Sequence, residues 1–239
     1  MQLTGDPAAL LGDGAIGCRN RVPFGVSCPF HRWDASATVA VVEVQRIGGG
    51  LWRWTTPHPE WKDGDDWDRD VGCVYWEAAD ALVLVDPLVP ADDDRERFLE
   101  ALDRDVARVG LPVVILLTCG WHGRSRDELA ARYGAQVHDS ARPANGLPAG
   151  VAAVEISVAQ EIVYWLAGAR ALVPGDVLVG TDDGVTLCPE SWLEGRGGHT
   201  RLVTELSPLL ELPVERILTS HGAPALADGH AALELALSR

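Results

Sequence analysis

The sequence predicts an α/β chain folded as an αββα sandwich: two mixed β-sheets face to face, with helices on the outer faces. Three observations predict it. Short runs rich in Val, Ile and Leu recur along the chain, bounded by Gly, Pro and Asp. Two of these, Ala81–Val85 and Val113–Leu117, are apolar throughout, as strands are when both faces are covered. The element order is β-rich, then α, β, α, and the second half repeats it.

Residues 1–35 are broken by Gly12, Gly14, Gly17, Pro23, Gly25 and Pro29 and read as an irregular N-terminal extension, leaving 36–239 as the folded domain. Thr38–Val44 is the first strand, and Gly48–Gly50 turns the chain back into a second at Leu51–Trp54. The polar loop from His58 to Asp70 is too long for a mere connection and is expected to cover a pocket. Strands follow at Val71–Trp76 and Ala81–Val85, the latter stopped by Asp86-Pro87. Phe98, Leu99, Leu102 and Val106 recur at helical spacing within Asp92–Val109. After the strand Val113–Leu117, Ser125-Arg-Asp-Glu128 has the form of a capping box opening a helix to Tyr133. Gln136–His138 is a short strand.

In the second half, Val151–Ile156, Glu161–Leu166 and Ala169–Val173 read as antiparallel strands. A turn at Gly175-Asp176 leads to Val177–Gly180. A loop carrying Trp192 spans 182–198, before a helix at about 200–210. Arg216–Thr219 is the last strand, Ser220-His221-Gly222 its C-terminal turn, and 228–237 the closing helix.

The chain of 239 residues has 35 acidic against 20 basic residues, a net charge of −15. With no basic stripe to neutralise a phosphate backbone, nucleic acid is excluded as a partner. No apolar run approaches the roughly 18 residues of a membrane span, and no signal peptide is evident. A cytoplasmic protein follows. Lys62 is the sole lysine among many arginines, a composition that fits a GC-rich bacterial genome. Five cysteines, at 18, 28, 73, 119 and 188, form no C-x-x-C pair and read as reduced thiols. Cys119 reads as a small, half-buried filler.

Four apolar strands run into polar residues at their C-terminal ends: Asp86; Thr118 with His122 and Arg124; Asp176; and His221. Such ends are where open α/β sheets bind ligands. Asp86 suits a hydrogen-bond anchor closing its strand. The nine tryptophans, against three Phe and three Tyr, are mostly core candidates. Trp61, Trp67 and Trp192 lie in polar loops and are the candidate aromatic wall of a substrate pocket. His58 and His199 fall in the same two loops.

These residues resemble the metallo-β-lactamase superfamily from about residue 38 to the end. Asp86-Pro87 is similar to the aspartate-proline that ends an early strand there. Thr118 is similar to the threonine preceding its H-x-H-x-D-H motif, Gly175-Asp176 to its bridging aspartate, and Ser220-His221-Gly222 to its last histidine. The motif itself is degenerate: Cys119, Trp121, Gly123 and Arg124 occupy its ligand positions, and His122 lies one place off. The histidine expected upstream of Asp176 falls at Ser157. Of the ligand set the resemblance implies, Asp176 and His221 remain.

The resemblance implies a hydrolase-like protein acting on a small anionic or ester-type molecule. His122, Asp176 and His221 can supply three ligands to one zinc or iron ion. His122 would then serve the chemistry directly, and Arg124 would hold an anionic group. The alternative is a catalytically inactive, metal-free binding protein of the same fold, in which Arg124 pairs with Asp176. A third reading makes His122 a general base without metal. The partner is a small-molecule ligand in each case, and a homodimer is left open.

Overall fold

In a computed structural model of the chain, residues 42–91, 93–139 and 146–239 are described. The expected extension at 1–35 lies outside them, as do residues 38–41 of the first expected strand.

Six strands form one sheet in chain order: β1 (Glu43–Gly48), β2 (Leu51–Pro57), β3 (Asp70–Glu77), β4 (Leu82–Val85), β5 (Val113–Leu116) and β6 (Gln136–His138). The first four pair antiparallel. β4, β5 and β6 are parallel because helices make the crossovers: α1 (Asp93–Val109) between β4 and β5, and α2 (Arg126–Tyr133) between β5 and β6. The second sheet has the order β12-β9-β8-β7, with β7 at Val151–Ile156, β8 at Glu161–Leu166, β9 at Ala171–Val173 and β12 at Arg216–Ile217. A separate hairpin joins β10 (Leu178–Thr181) to β11 (Gly184–Leu187); α3 (Gly198–Leu206) and α4 (Gly229–Leu237) complete the chain.

Side-chain alternation explains the layers. In β4, Val83 and Val85 pack with Val114 and Leu116 of β5 against Tyr164, Leu166 and Val173 of the other sheet. Leu82, Leu84, Val113 and Ile115 point the opposite way, onto Leu99 and Leu102 of α1 and Leu129 of α2. Likewise Val163, Trp165 and Leu172 of the second sheet pack on Leu202 and Leu206 of α3 and Leu233 of α4. A two-residue period with both faces apolar therefore produces three apolar layers between four structural ones, the αββα sandwich. No helix among the described residues is long and apolar enough to cross a membrane.

Two local expectations are corrected. The capping box at α2 does not form: Ser125 makes no side-chain cap, and its hydroxyl instead accepts the Val89 N–H at 2.8 Å. The long loop expected at 182–198 contains β11, whose alternating Val185 and Leu187 are buried. Gly184, at φ +132°, makes that tight hairpin possible.

Candidate metal centre and its cavity

The site is assembled where β4 and β5 end. Asp86 adopts a left-handed backbone (φ 47°), which turns its carboxylate back along the sheet. There Oδ1 accepts the Thr118 N–H at 2.9 Å and Oδ2 accepts the Thr118 hydroxyl at 2.6 Å. The chain after β5 then winds into a short 3-10 turn, Gly120–Gly123, which carries His122 inward to 4% exposure. His122 Nδ1 donates to Asp86 Oδ2 at 2.9 Å, with the Thr118 hydroxyl 3.0 Å away. That bond leaves Nε2 facing Asp176.

Asp176 is placed by Gly175, whose φ is +62°. A Cβ there would lie 2.5 Å from Glu161 Oε2 and 2.8 Å from Thr118 Oγ1, so glycine is required. The Asp176 N–H donates to Glu161 Oε2 at 2.8 Å, and Trp121 Nε1 donates to Asp176 Oδ2 at 2.9 Å. The other oxygen, Oδ1, lies 3.2 Å from His122 Nε2 and 3.3 Å from His221 Nε2. Neither approach is directed as a hydrogen bond, and Oδ1 is buried without a hydrogen-bond partner.

Asp176 Oδ1 and His122 Nε2, so placed, fit two positions around a shared cation. Ligand atoms about 2 Å from a common ion stand about 3.3 Å apart at tetrahedral angles. Cys119, His122 and Asp176 form the described group whose donor atoms all lie within 4.8 Å of one another. His221 approaches that group at Asp176 Oδ1. The donor set of thiol, imidazole and carboxylate is also chemically that of a zinc site.

Burial and the Arg124 guanidinium would lower the His122 pKa, but Asp176 and Asp86 outweigh them and hold it well above the usual histidine range. Burial would raise Asp176; His122 and His221 reverse this and keep it ionised well below the usual carboxylate range. Glu161 is pushed well above its ordinary value by burial and then by the Asp176 charge. Burial pushes the Cys119 thiol up to about 12.

A cavity of about 350 Å³ opens above these groups. Of the expected aromatic wall, Trp67 and Trp192 line it, and both rings stand edge-on to His221 with centroids 5.6 Å away. Trp61 does not line it; its Nε1 holds the Trp67 carbonyl at 2.9 Å inside the loop. Arg124 does line it, but makes no pair with Asp176. Its Nη1 donates to the Gly72 and Asp86 carbonyls at 3.1 and 3.0 Å, and its Nε is buried without a partner. His58 faces the same space, whereas His199 contacts the Cys188 carbonyl in an adjoining cavity.

Of the expected His122, Asp176 and His221, both imidazoles approach Asp176 Oδ1, and the donors that cluster are those of Cys119, His122 and Asp176. Sequence reasoning missed Cys119, read there as filler, and Glu161 and Trp121. Glu161 carried a signal: a lone acid opening an otherwise apolar strand. Trp121 carried none.

No protein-family model matches the chain, and no curated protein matches it. Solved structures do. A metallo-β-lactamase from Hirschia baltica superposes with a TM-score of 0.52 at 17% identity, over 82% of this chain and 96% of that one. A Pseudomonas aeruginosa metallo-β-lactamase in its mono-zinc form gives 0.53 at 17% identity, over 82% and 93%. At these identities the likeness concerns the fold: the chain has the metallo-β-lactamase fold.

Proposed function

We propose that the chain is a metal-dependent, hydrolase-like protein using a single zinc ion on a small ester-type or anionic molecule. One observation carries this: the buried Asp176 Oδ1 lacks a hydrogen-bond partner although two imidazole nitrogens stand 3.2 and 3.3 Å from it. A buried carboxylate needs a positive charge beside it, and a zinc ion there would take over that role from the His122 imidazolium, displacing its proton. His122 and Asp176 would hold the ion together with Cys119, with His221 beside it on the Asp176 Oδ1 side and one position left for water or substrate. The thiol favours zinc over iron. When bound, zinc polarises a carbonyl and lowers the pKa of a bound water.

The chain's own residues do the rest. Asp86 fixes the His122 ring, the carboxylate–histidine arrangement that orients metal ligands. Trp67 and Trp192 keep bulk water from His221. Arg124 offers its guanidinium to the anionic end of the substrate. The metal-free reading expected an Arg124–Asp176 ion pair; the guanidinium instead turns to the Gly72 and Asp86 carbonyls.

Metal analysis after expression in zinc-supplemented medium tests the proposal. About one zinc per chain supports it, together with hydrolysis of a generic ester or lactone that is lost in Asp176→Ala. A folded protein that takes up no zinc, iron or manganese overturns it.

A further inference from the structure

We infer that Arg53 is a positioning residue for His221, an inference that rests on the metal reading above. A metal-binding histidine ordinarily has its second ring nitrogen held by a carboxylate, carbonyl or water. His122 has this in Asp86. His221 does not: its Nδ1 is buried with no hydrogen-bond partner. Where Nε2 points is therefore set by the Trp67 and Trp192 rings packed beside it and by the turn that carries His221.

The turn is held through the backbone on either side of His221. Arg53, in the middle of β2, is a buried guanidinium at 7% exposure with no carboxylate partner among the described residues. Its side-chain hydrogen bonds all go to the His221 turn. Nε and Nη2 donate to the Thr219 carbonyl at 3.3 and 3.1 Å, and Nη2 also donates to the Gly222 carbonyl at 3.1 Å. Thr219 and Gly222 bracket His221 in sequence. A buried charge satisfied only by carbonyl dipoles is a poor way to stabilise a core, where an apolar side chain of similar size does as well or better. A planar fork gripping two carbonyls is a good way to set the pitch of a turn.

Neighbouring contacts serve the same end. The Gly72 N–H donates to the Ser220 carbonyl at 2.7 Å, and the Gly180 N–H to the His221 carbonyl at 2.9 Å. Gly72 must lack a side chain, since a Cβ there would meet the Thr219 carbonyl at 2.5 Å and Arg53 Nη2 at 2.6 Å. β2 and β3 therefore deliver a guanidinium and a bare backbone to one turn, and that turn presents His221.

The test compares Arg53→Met, Arg53→Lys and Gly72→Ala with the wild type and with Leu102→Ala, which weakens the core through α1. Two quantities are read: the NMR signals of the His221 ring without metal, and Zn²⁺ affinity by competition with a chromophoric chelator. The clamp variants are expected to move the His221 signals and to weaken zinc about 10–100-fold, the range for outer-shell partners. Leu102→Ala should lower the melting temperature and leave both unchanged. If Arg53→Met does not fold, Arg53→Lys decides, because an ammonium cannot reproduce the fork. Unmoved His221 signals in the folded clamp variants overturn the inference. A wild type that binds no zinc overturns the metal reading instead, and the ring signals still judge the clamp.

Discussion

His122 Nδ1 lies 2.9 Å from Asp86 Oδ2, and the same carboxylate oxygen accepts the Thr118 hydroxyl at 2.6 Å. One side chain at the end of β4 thereby sets both the path of the loop after β5 and the orientation of the imidazole within it. The αββα core needs neither effect.

Asp86→Asn separates the two roles. Asparagine tolerates the left-handed backbone at this position, so the turn survives. The amide has a single acceptor oxygen: with it on the Thr118 N–H, its NH2 faces the His122 N–H and that bond is lost. Zinc affinity is expected to fall about 10–100-fold, with a stability loss of about 1–3 kcal/mol from weakened buried hydrogen bonds. Chelator competition and urea unfolding measure the two. Unchanged affinity with the stability loss present would make Asp86 a purely structural anchor.

Gly175→Ala and Gly134→Ala both place alanine at positive φ, +62° and +63°. The left-handed conformation costs each about 1–2 kcal/mol. At Gly134 nothing lies within 4 Å of the added Cβ, whereas at Gly175 it meets Glu161 Oε2 and Thr118 Oγ1. Overpacking adds about 1–3 kcal/mol there. Urea midpoints should therefore rank wild type, then Gly134→Ala, then Gly175→Ala. Equal losses would mean that the 174–176 turn relaxes freely.

Glu205 gives a pH dependence away from the centre. It accepts the Ser157 hydroxyl at 2.8 Å, the Val158 N–H at 3.0 Å and Arg201 Nε at 2.8 Å. Burial would raise its pKa, but the Val158, Ser157 and Arg201 bonds outweigh it and lower it below the usual value. A depressed folded pKa contributes stability above the unfolded value of about 4.3. That contribution is lost as pH falls through the folded value. Glu205→Gln should thus be less stable than wild type at neutral pH, with the difference shrinking below about pH 4. Melting curves at several pH values check it; a constant difference down to pH 3 would sink it.

The layers were legible because each rests on a two-residue period. Leu82-Val83-Leu84-Val85 and Val113–Leu116 are apolar on both faces, and the fold buries both. His122, Asp176 and His221 were legible as strand-end residues, since parallel strands bring their C-terminal ends to one edge. Cys119 was not: a thiol next to an apolar strand looks the same in sequence whether it fills space or faces a carboxylate. Ser125 misled for a related reason. Its helix cap competes with the Val89 N–H, a partner 36 residues away that local sequence cannot reveal. Trp121, at 56% exposure, donates to Asp176 across 55 residues and is invisible for the same reason.

Trp192 couples two loops that are remote in sequence. Its Nε1 donates to Asp66 Oδ2 at 2.9 Å, a contact spanning 126 residues, while its ring and that of Trp67 stand on either His221 contact at 5.6 Å. Loops 58–70 and 188–197 should therefore open together. Trp192→Phe keeps an aromatic ring but removes the bond, a net loss of about 1 kcal/mol, or roughly fivefold in the opening equilibrium. Amide exchange should speed up by that factor within 58–70, the loop that loses the Asp66 contact, while the β3 and β4 amides stay protected. Asp66→Asn retains an acceptor oxygen and should give a smaller effect in both loops. If exchange rises only in 188–197, the two loops move independently, and Trp67 is held by Trp61 and its own loop alone.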